Sequence, residues 1–188
     1  GGIDIVHQTA AIGRDNGARV NGRHTLDACP DKGFFRAQYR YCLPLHVGAH
    51  QRTIRVIAWM NEENGLRGGT TYFQNQQNNL ANHIAAIESD LGAGHPTGFS
   101  AFVKPQAVPM LQPIANLLQS SGAGLLRLSS EPVEADISPL QRAGVPGLAP
   151  IQDNRTYFDY HHTPADTFDK IVPRELAENA AVMAVLAY

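Results

Sequence analysis

The sequence predicts an α/β fold, a mixed and mostly parallel central sheet with helices on both faces, and three observations carry that prediction. From residue 52 onward, short apolar runs alternate with segments of helical spacing in the order β-α-β-β-α-α-β-α. The run at 53–59 (TIRVIAW) is nearly all apolar and β-branched, the pattern of a strand covered on both faces. Charged residues follow such runs directly, where open α/β sheets place their ligands.

The elements follow in order. After the strand at 53–59 comes the turn Asn61-Glu62-Glu63-Asn64-Gly65, then a short helix at 66–73 and an amide-rich, solvent-facing stretch at 74–82 (QNQQNNLAN). Residues 83–87 (HIAAI) read as a second buried strand running into Glu88-Ser89-Asp90, and 98–103 (GFSAFV) as a third. Met110, Leu111, Ile114, Leu117 and Leu118 recur at helical spacing behind Pro109, which suits a first helical turn, so 109–120 is expected to be an amphipathic helix closed by Gly122 and Gly124. A short helix at 139–143 precedes a last strand at 147–151 (GLAPI). A C-terminal helix begins near Pro173 with Leu176, Ala180, Met183 and Ala187 on one stripe. Residues 1–51 have no clean period outside 41–47, and no element is placed there.

At 188 residues the chain has the size of one domain, read here as a single partial catalytic domain with a divergent segment at 1–51. Fifteen Lys and Arg against 17 Asp and Glu give a net charge of −2, which provides no field to attract nucleic acid or an anionic membrane. No run approaches the roughly 18 apolar residues of a membrane span. The opening Gly1-Gly2-Ile3-Asp4 has neither an initiator Met nor a signal-peptide pattern, so the true N-terminus is expected upstream. Cys29 and Cys42 exclude a disulfide scaffold; one bridge or two core thiols both fit them.

Three clusters outside the regular elements carry chemistry: Glu62-Glu63, the stretch from Glu88 to Asp90, and His161-His162. Taken singly, each fits a solvated turn or a surface loop. Together they supply the carboxylates and imidazole from which catalytic zinc sites are built. Adjacent Glu62 and Glu63 point in different directions on an extended backbone, which implies one ligand and one base. Asp136 reads either as a helix N-cap or as a substrate-orienting group. Tyr157, Phe158 and Tyr160 read as pocket wall, with Tyr160 the choice for a phenol stabilising an oxyanion.

The segment 52–69 (RTIRVIAWMNEENGLRGG) resembles the Glu-Glu strand and turn of the zinc exopeptidases that include bacterial aminopeptidases and glutamate carboxypeptidases. Residues 85–90 (AAIESD), 143–147 (AGVPG) and 161–167 (HHTPADT) are similar, in the same order, to the plasma glutamate carboxypeptidase-like dipeptidases of that family, over nearly three quarters of the chain. The resemblance implies the zinc-exopeptidase type of sandwich and two zinc ions. It implies Glu62 as general base, Glu63 and His162 as ligands of one zinc, and Asp90 as ligand of the second. Residues 13–18 (GRDNGA) resemble the family's bridging motif, which makes Asp15 the bridge. The family's G-G-H-x-D motif is read here as Gly1-Gly2-Ile3-Asp4, so the Asp90 site would lack its imidazole, and His7 stands at the wrong spacing to replace it.

The function expected is a zinc-dependent exopeptidase, an aminopeptidase or dipeptidase acting on dipeptides or short peptides. The alternatives are a single-zinc glutaminyl-cyclase-like acyltransferase and a non-catalytic remnant of the fold. The resemblance implies a peptide substrate and an exported location, periplasmic or secreted; oligomeric state is not legible.

Overall fold

A computed structural model describes residues 8–14 and 52–188. Among these residues six strands form one mixed sheet in the order β2-β1-β3-β6-β4-β5. The strands are β1 (Gln8–Arg14), β2 (Arg52–Ala58), β3 (His83–Ser89), β4 (Pro96–Phe102), β5 (Leu125–Leu128) and β6 (Gly147–Gln152). The helices are α1 (Arg67–Gln76), α2 (Val108–Gln119), α3 (Ser138–Arg142), α4 (Tyr157–Tyr160) and α5 (Pro173–Ala187). β3/β6 and β4/β5 pair parallel, whereas β1/β2, β1/β3 and β4/β6 pair antiparallel.

Strand alternation divides the core in two. Ala85 and Ile87 of β3, Phe99 and Ala101 of β4 and Leu148 of β6 face Leu111, Ala115 and Leu118 of α2 and Val182 and Leu186 of α5. The intervening Ala86 and Ala149 face the other way, toward Trp59, Val133, Ile137, Leu140 and Val145, with Tyr72 and Phe73 of α1 against them. Helices thus cover both faces, as the strand pattern predicts.

The differences from the sequence expectation have local causes. β2 ends the described sheet, and Val56 is 78% exposed, so its apolar run is not covered on both faces as predicted. On α2 the buried stripe is Leu111, Ala115 and Leu118, while Met110 and Leu117 face outward. On α5 the buried positions include Asn179, Val182, Leu186 and Ala187, and Leu176 and Ala180 are exposed. A polar residue marks that face: the Asn179 amide donates to the carbonyl of Gly94 at 2.7 Å, which ties α5 to the β3–β4 loop. The amide-rich stretch continues α1 as a 3-10 segment, Gln77–Asn82, in which Asn79 and Asn82 are half-buried and bond to Gln76 and to each other. Strands β1 and β5 and helix α4 have no counterpart in the sequence reading.

Candidate active site

β2 and β3 both pair antiparallel with β1, and β3 pairs parallel with β6, so β2, β3 and β6 run the same way. Their carboxyl ends share one end of the sheet. Glu62 and Glu63 leave β2 there, Asp90 follows β3, and the segment leading to His161 and His162 follows β6. The topology accounts for the convergence of the three clusters.

The Glu-Glu turn is tightly built. Residues Glu62–Asn64 form one 3-10 turn, and the Glu62 carbonyl accepts from the amides of Gly65 and Leu66 at 3.0 and 2.8 Å. Asn61 (φ 63) and Leu66 (φ 54) bracket it in left-handed conformation. His162 (φ 58) and Glu134 (φ 59) are also left-handed, and these four are the non-glycine residues with positive φ among those described. For a residue with a Cβ that conformation costs about 1–2 kcal/mol, and such strain gathers at functional sites. α1 lies close against the entry to the turn: a Cβ at Gly68 would come 2.7 Å from the carbonyl oxygen of Met60.

Glu62 is half-buried and Glu63 exposed. Glu63 reaches across to the His pair, where its Oε1 lies 2.6 Å from Nε2 of His162. The imidazole stack continues from there. His161 stacks on His162 at 3.8 Å between ring centroids and on Tyr157 at 4.7 Å, and the Phe158 edge closes against His161 at 5.9 Å. Tyr160 instead has the ammonium of Lys170 over its ring at 5.5 Å.

Charge converges on Tyr157. Burial pushes its phenol up to about 12, reinforced by the negative charges of Asp90, Glu134, Asp166 and Glu63. The hydroxyl therefore stays protonated across the physiological range. Asp90 and Glu63 share this neighbourhood, and Glu134 and Asp166 join them, two residues that the sequence reading did not single out. A glutamate in the left-handed region is the signal for Glu134, and dihedrals are not visible in a sequence.

Beneath the site lies Glu88, which has no exposed surface. Its carboxyl accepts from the backbone amides of Asp136 at 3.2 Å and Ile137 at 3.0 Å. Burial raises it to about 8 despite those bonds, and the charge of Asp136 adds to the rise. Asp136 is itself fully buried, and no side-chain bond caps α3, whose N-cap position is Ile137. The helix N-cap reading of Asp136 is thereby corrected, since Ile137 holds that position.

The model of peptidase family M28 matches residues 44–187. The chain belongs to peptidase family M28. This M28 chain is 33% identical over 138 residues to carboxypeptidase Q from Homo sapiens and from Pongo abelii, an alignment covering 73% of the chain and 29% of those proteins. It also resembles the crystal structure of a peptidase M28 precursor from Shewanella amazonensis SB2B, with a TM-score of 0.66 and 36% identity over 73% of this chain and 30% of that one. The chain thus spans less than a third of the length of these relatives.

The donor chemistry of the Glu63–His162 pair fits zinc: a carboxylate and an imidazole in contact, both side chains more than half exposed, at 52% and 58%. Among the described residues of this M28 chain, no group of three His, Cys, Asp or Glu is gathered closely enough to hold a metal ion. Asp15 and His7 lie outside the described residues.

Proposed function

We propose that this M28 peptidase is a zinc-dependent exopeptidase, an aminopeptidase or dipeptidase that hydrolyses dipeptides or short peptides. The observation that carries the reading is the contact between Glu63 and His162 at the carboxyl end of the sheet. In this reading Glu63 and His162 would hold one zinc and Asp90 a second, with Asp15 as the further carboxylate ligand that the family resemblance implies. Zinc, when bound, supplies Lewis acidity to the attacking water and the scissile carbonyl.

The chain's own residues do the rest. Glu62, half-buried beside the exposed ligand, takes the proton of the attacking water on its carboxylate and returns it to the leaving amine. Tyr160 is assigned the hydrogen bond to the developing oxyanion. The carboxylates of Glu134 and Asp166 keep the site acidic around a neutral Tyr157. The family resemblance supports an exported location, periplasmic or secreted.

The test is zinc content by elemental analysis, read beside dipeptide hydrolysis for the parent, His162→Ala and Asp90→Ala. Loss of zinc in both variants, with the larger loss in His162→Ala, is expected. Zinc unchanged in both removes the assignment. One ion per chain together with cyclisation of N-terminal glutamine would favour the glutaminyl-cyclase-like alternative.

A further inference from the structure

We propose that Tyr157 is a positioning residue whose ring acts as the spacer between the two halves of the site, the loop that follows Asp90 and the imidazole pair that ends in His162. The inference rests on the metal-centre reading above and assigns it a part outside the ligand set.

Two sets of contacts carry it. On one side the Tyr157 ring lies against the β3–β4 loop. Gly92 has φ +84, and a Cβ there would come 3.1 Å from Cδ2 of Tyr157. Only a residue without a side chain lets loop and ring approach so closely. The loop is fixed from behind: the Gly92 amide donates to the carbonyl of Asp90 at 2.9 Å, and the Gln152 side-chain amide donates to the Gly92 carbonyl at 3.0 Å and to the Ser89 hydroxyl at 2.9 Å. The end of β6 therefore holds the Asp90 loop, and the ring packs on its open side.

On the other side the ring is continuous with the histidines. Tyr157 stacks on His161 with planes 25° apart, and His161 stacks on His162 with planes 26° apart. The His161 amide donates to the Tyr157 carbonyl at 2.9 Å, which holds the two rings one helical turn apart. His162 leaves that turn in left-handed conformation, and its own Nε2 meets the Glu63 carboxylate at 2.6 Å. The separation of Asp90 from His162 is thus set by two aromatic thicknesses rather than by a hydrogen bond. Flat rings in van der Waals contact resist compression, as a spacer requires.

A spacer needs the ring and not the hydroxyl. Tyr157→Leu keeps bulk but loses the flat face, and Tyr157→Phe keeps the face. Zinc affinity is measured for both variants and the parent. Diethylpyrocarbonate modification of His161 and His162 is then followed by mass spectrometry on the metal-free proteins at equal folded fraction. Tyr157→Leu is expected to weaken zinc binding by about 10- to 100-fold, the usual effect of removing a partner that orients a ligand. It also speeds His161 modification, while Tyr157→Phe matches the parent in both. Equal protection of His161 in all three proteins overturns the proposal. A loss of zinc in Tyr157→Phe as large as in Tyr157→Leu overturns it too, because the ring face is kept. A parent that binds no zinc but shows the His161 contrast removes the metal reading and leaves the spacer standing.

Discussion

Glu63 and His162 stand 99 positions apart in the chain and meet at 2.6 Å, carboxylate oxygen to imidazole Nε2. Neither is near the other until β2, β3 and β6 align their carboxyl ends. In the absence of metal, the His162 N–H donates to the carboxylate; with zinc present, the same two atoms are the donors expected to turn to the ion. Glu63→Gln is therefore expected to lose zinc and activity together, since an amide oxygen is a poorer zinc donor than a carboxylate. The loss should exceed the about 10- to 100-fold drop in affinity that follows removal of an outer partner. Competition against a chelator of known affinity measures it, and undiminished affinity would remove Glu63 from the ligand set.

Glu62→Gln should behave in the opposite way. It keeps the size of the side chain and the turn around the Glu62 carbonyl, but it removes the group that accepts a proton. Turnover on a dipeptide is expected to fall by about 10²- to 10⁴-fold with zinc content unchanged, the range a general base contributes. Both quantities are read on one preparation. If zinc is lost from Glu62→Gln as readily as from Glu63→Gln, base and ligand have been assigned to the wrong residues.

The parts of the fold legible in the sequence are those where side-chain pattern and burial agree. The β3 run HIAAI is buried nearly throughout, as its pattern predicts, and Asp90 follows it at the sheet end, whereas Glu88 and Ser89, expected outside the regular elements, are the last residues of the strand. The pattern misleads where a polar side chain belongs to the core. Asn179 bonds backbone carbonyls from the buried face of α5, so a stripe drawn from apolar residues alone is rotated off the true one. β5 is four residues long with Leu125 and Leu128 half exposed, too short and too open to register as a strand. The positions of Glu62, Glu63 and Asp90 past the carboxyl ends of β2 and β3 were legible because each follows an apolar run. Glu134 and the spacer position of Tyr157 were not, since one depends on a backbone dihedral and the other on ring stacking across α4.

The other end of β3 offers a stability test independent of zinc. His83 is buried, and its Nδ1 lies 3.0 Å from the Asn79 carbonyl, which can only accept. That nitrogen must carry the proton, so in the neutral ring Nε2 accepts from the Tyr72 hydroxyl at 3.0 Å. The Tyr72 ring also packs edge-on against Trp59 at 5.4 Å, and Tyr72→Phe retains that contact while removing the donor. The substitution is expected to destabilise the fold by about 1–3 kcal/mol, the cost of a buried polar atom left without its partner. Urea unfolding with an unchanged slope measures it. An unmoved midpoint would show that water reaches Nε2.

Glu88 makes stability depend on pH in a direction unusual for a carboxyl. Its ordinary value of 4.5 applies in the unfolded chain, and burial raises it to about 8 in the folded one. Between those values the unfolded chain has released the proton and the folded chain still holds it, so the unfolded state binds fewer protons. Stability then falls as pH rises, by up to about 1.4 kcal/mol per pH unit within that window. The contribution is fully present below 4.5 and is lost as pH rises through about 8. The lowered carboxyls have the opposite sign: Asp153 and Glu178, held down by bonds to Arg155 and to His95, lose their contribution only as pH drops into the acid range. The two regimes are therefore separable on one pH axis. Glu88→Gln removes the titrating proton, and its amide still accepts from one of the two backbone amides at Asp136 and Ile137. Its NH₂ faces the other, so absolute stability is expected to drop at acid pH. The decisive quantity is the slope of unfolding free energy against pH between 5 and 8, measured on zinc-free protein. A flattened slope in Glu88→Gln identifies the buried carboxyl as its source, and an unchanged slope assigns the pH dependence to another group.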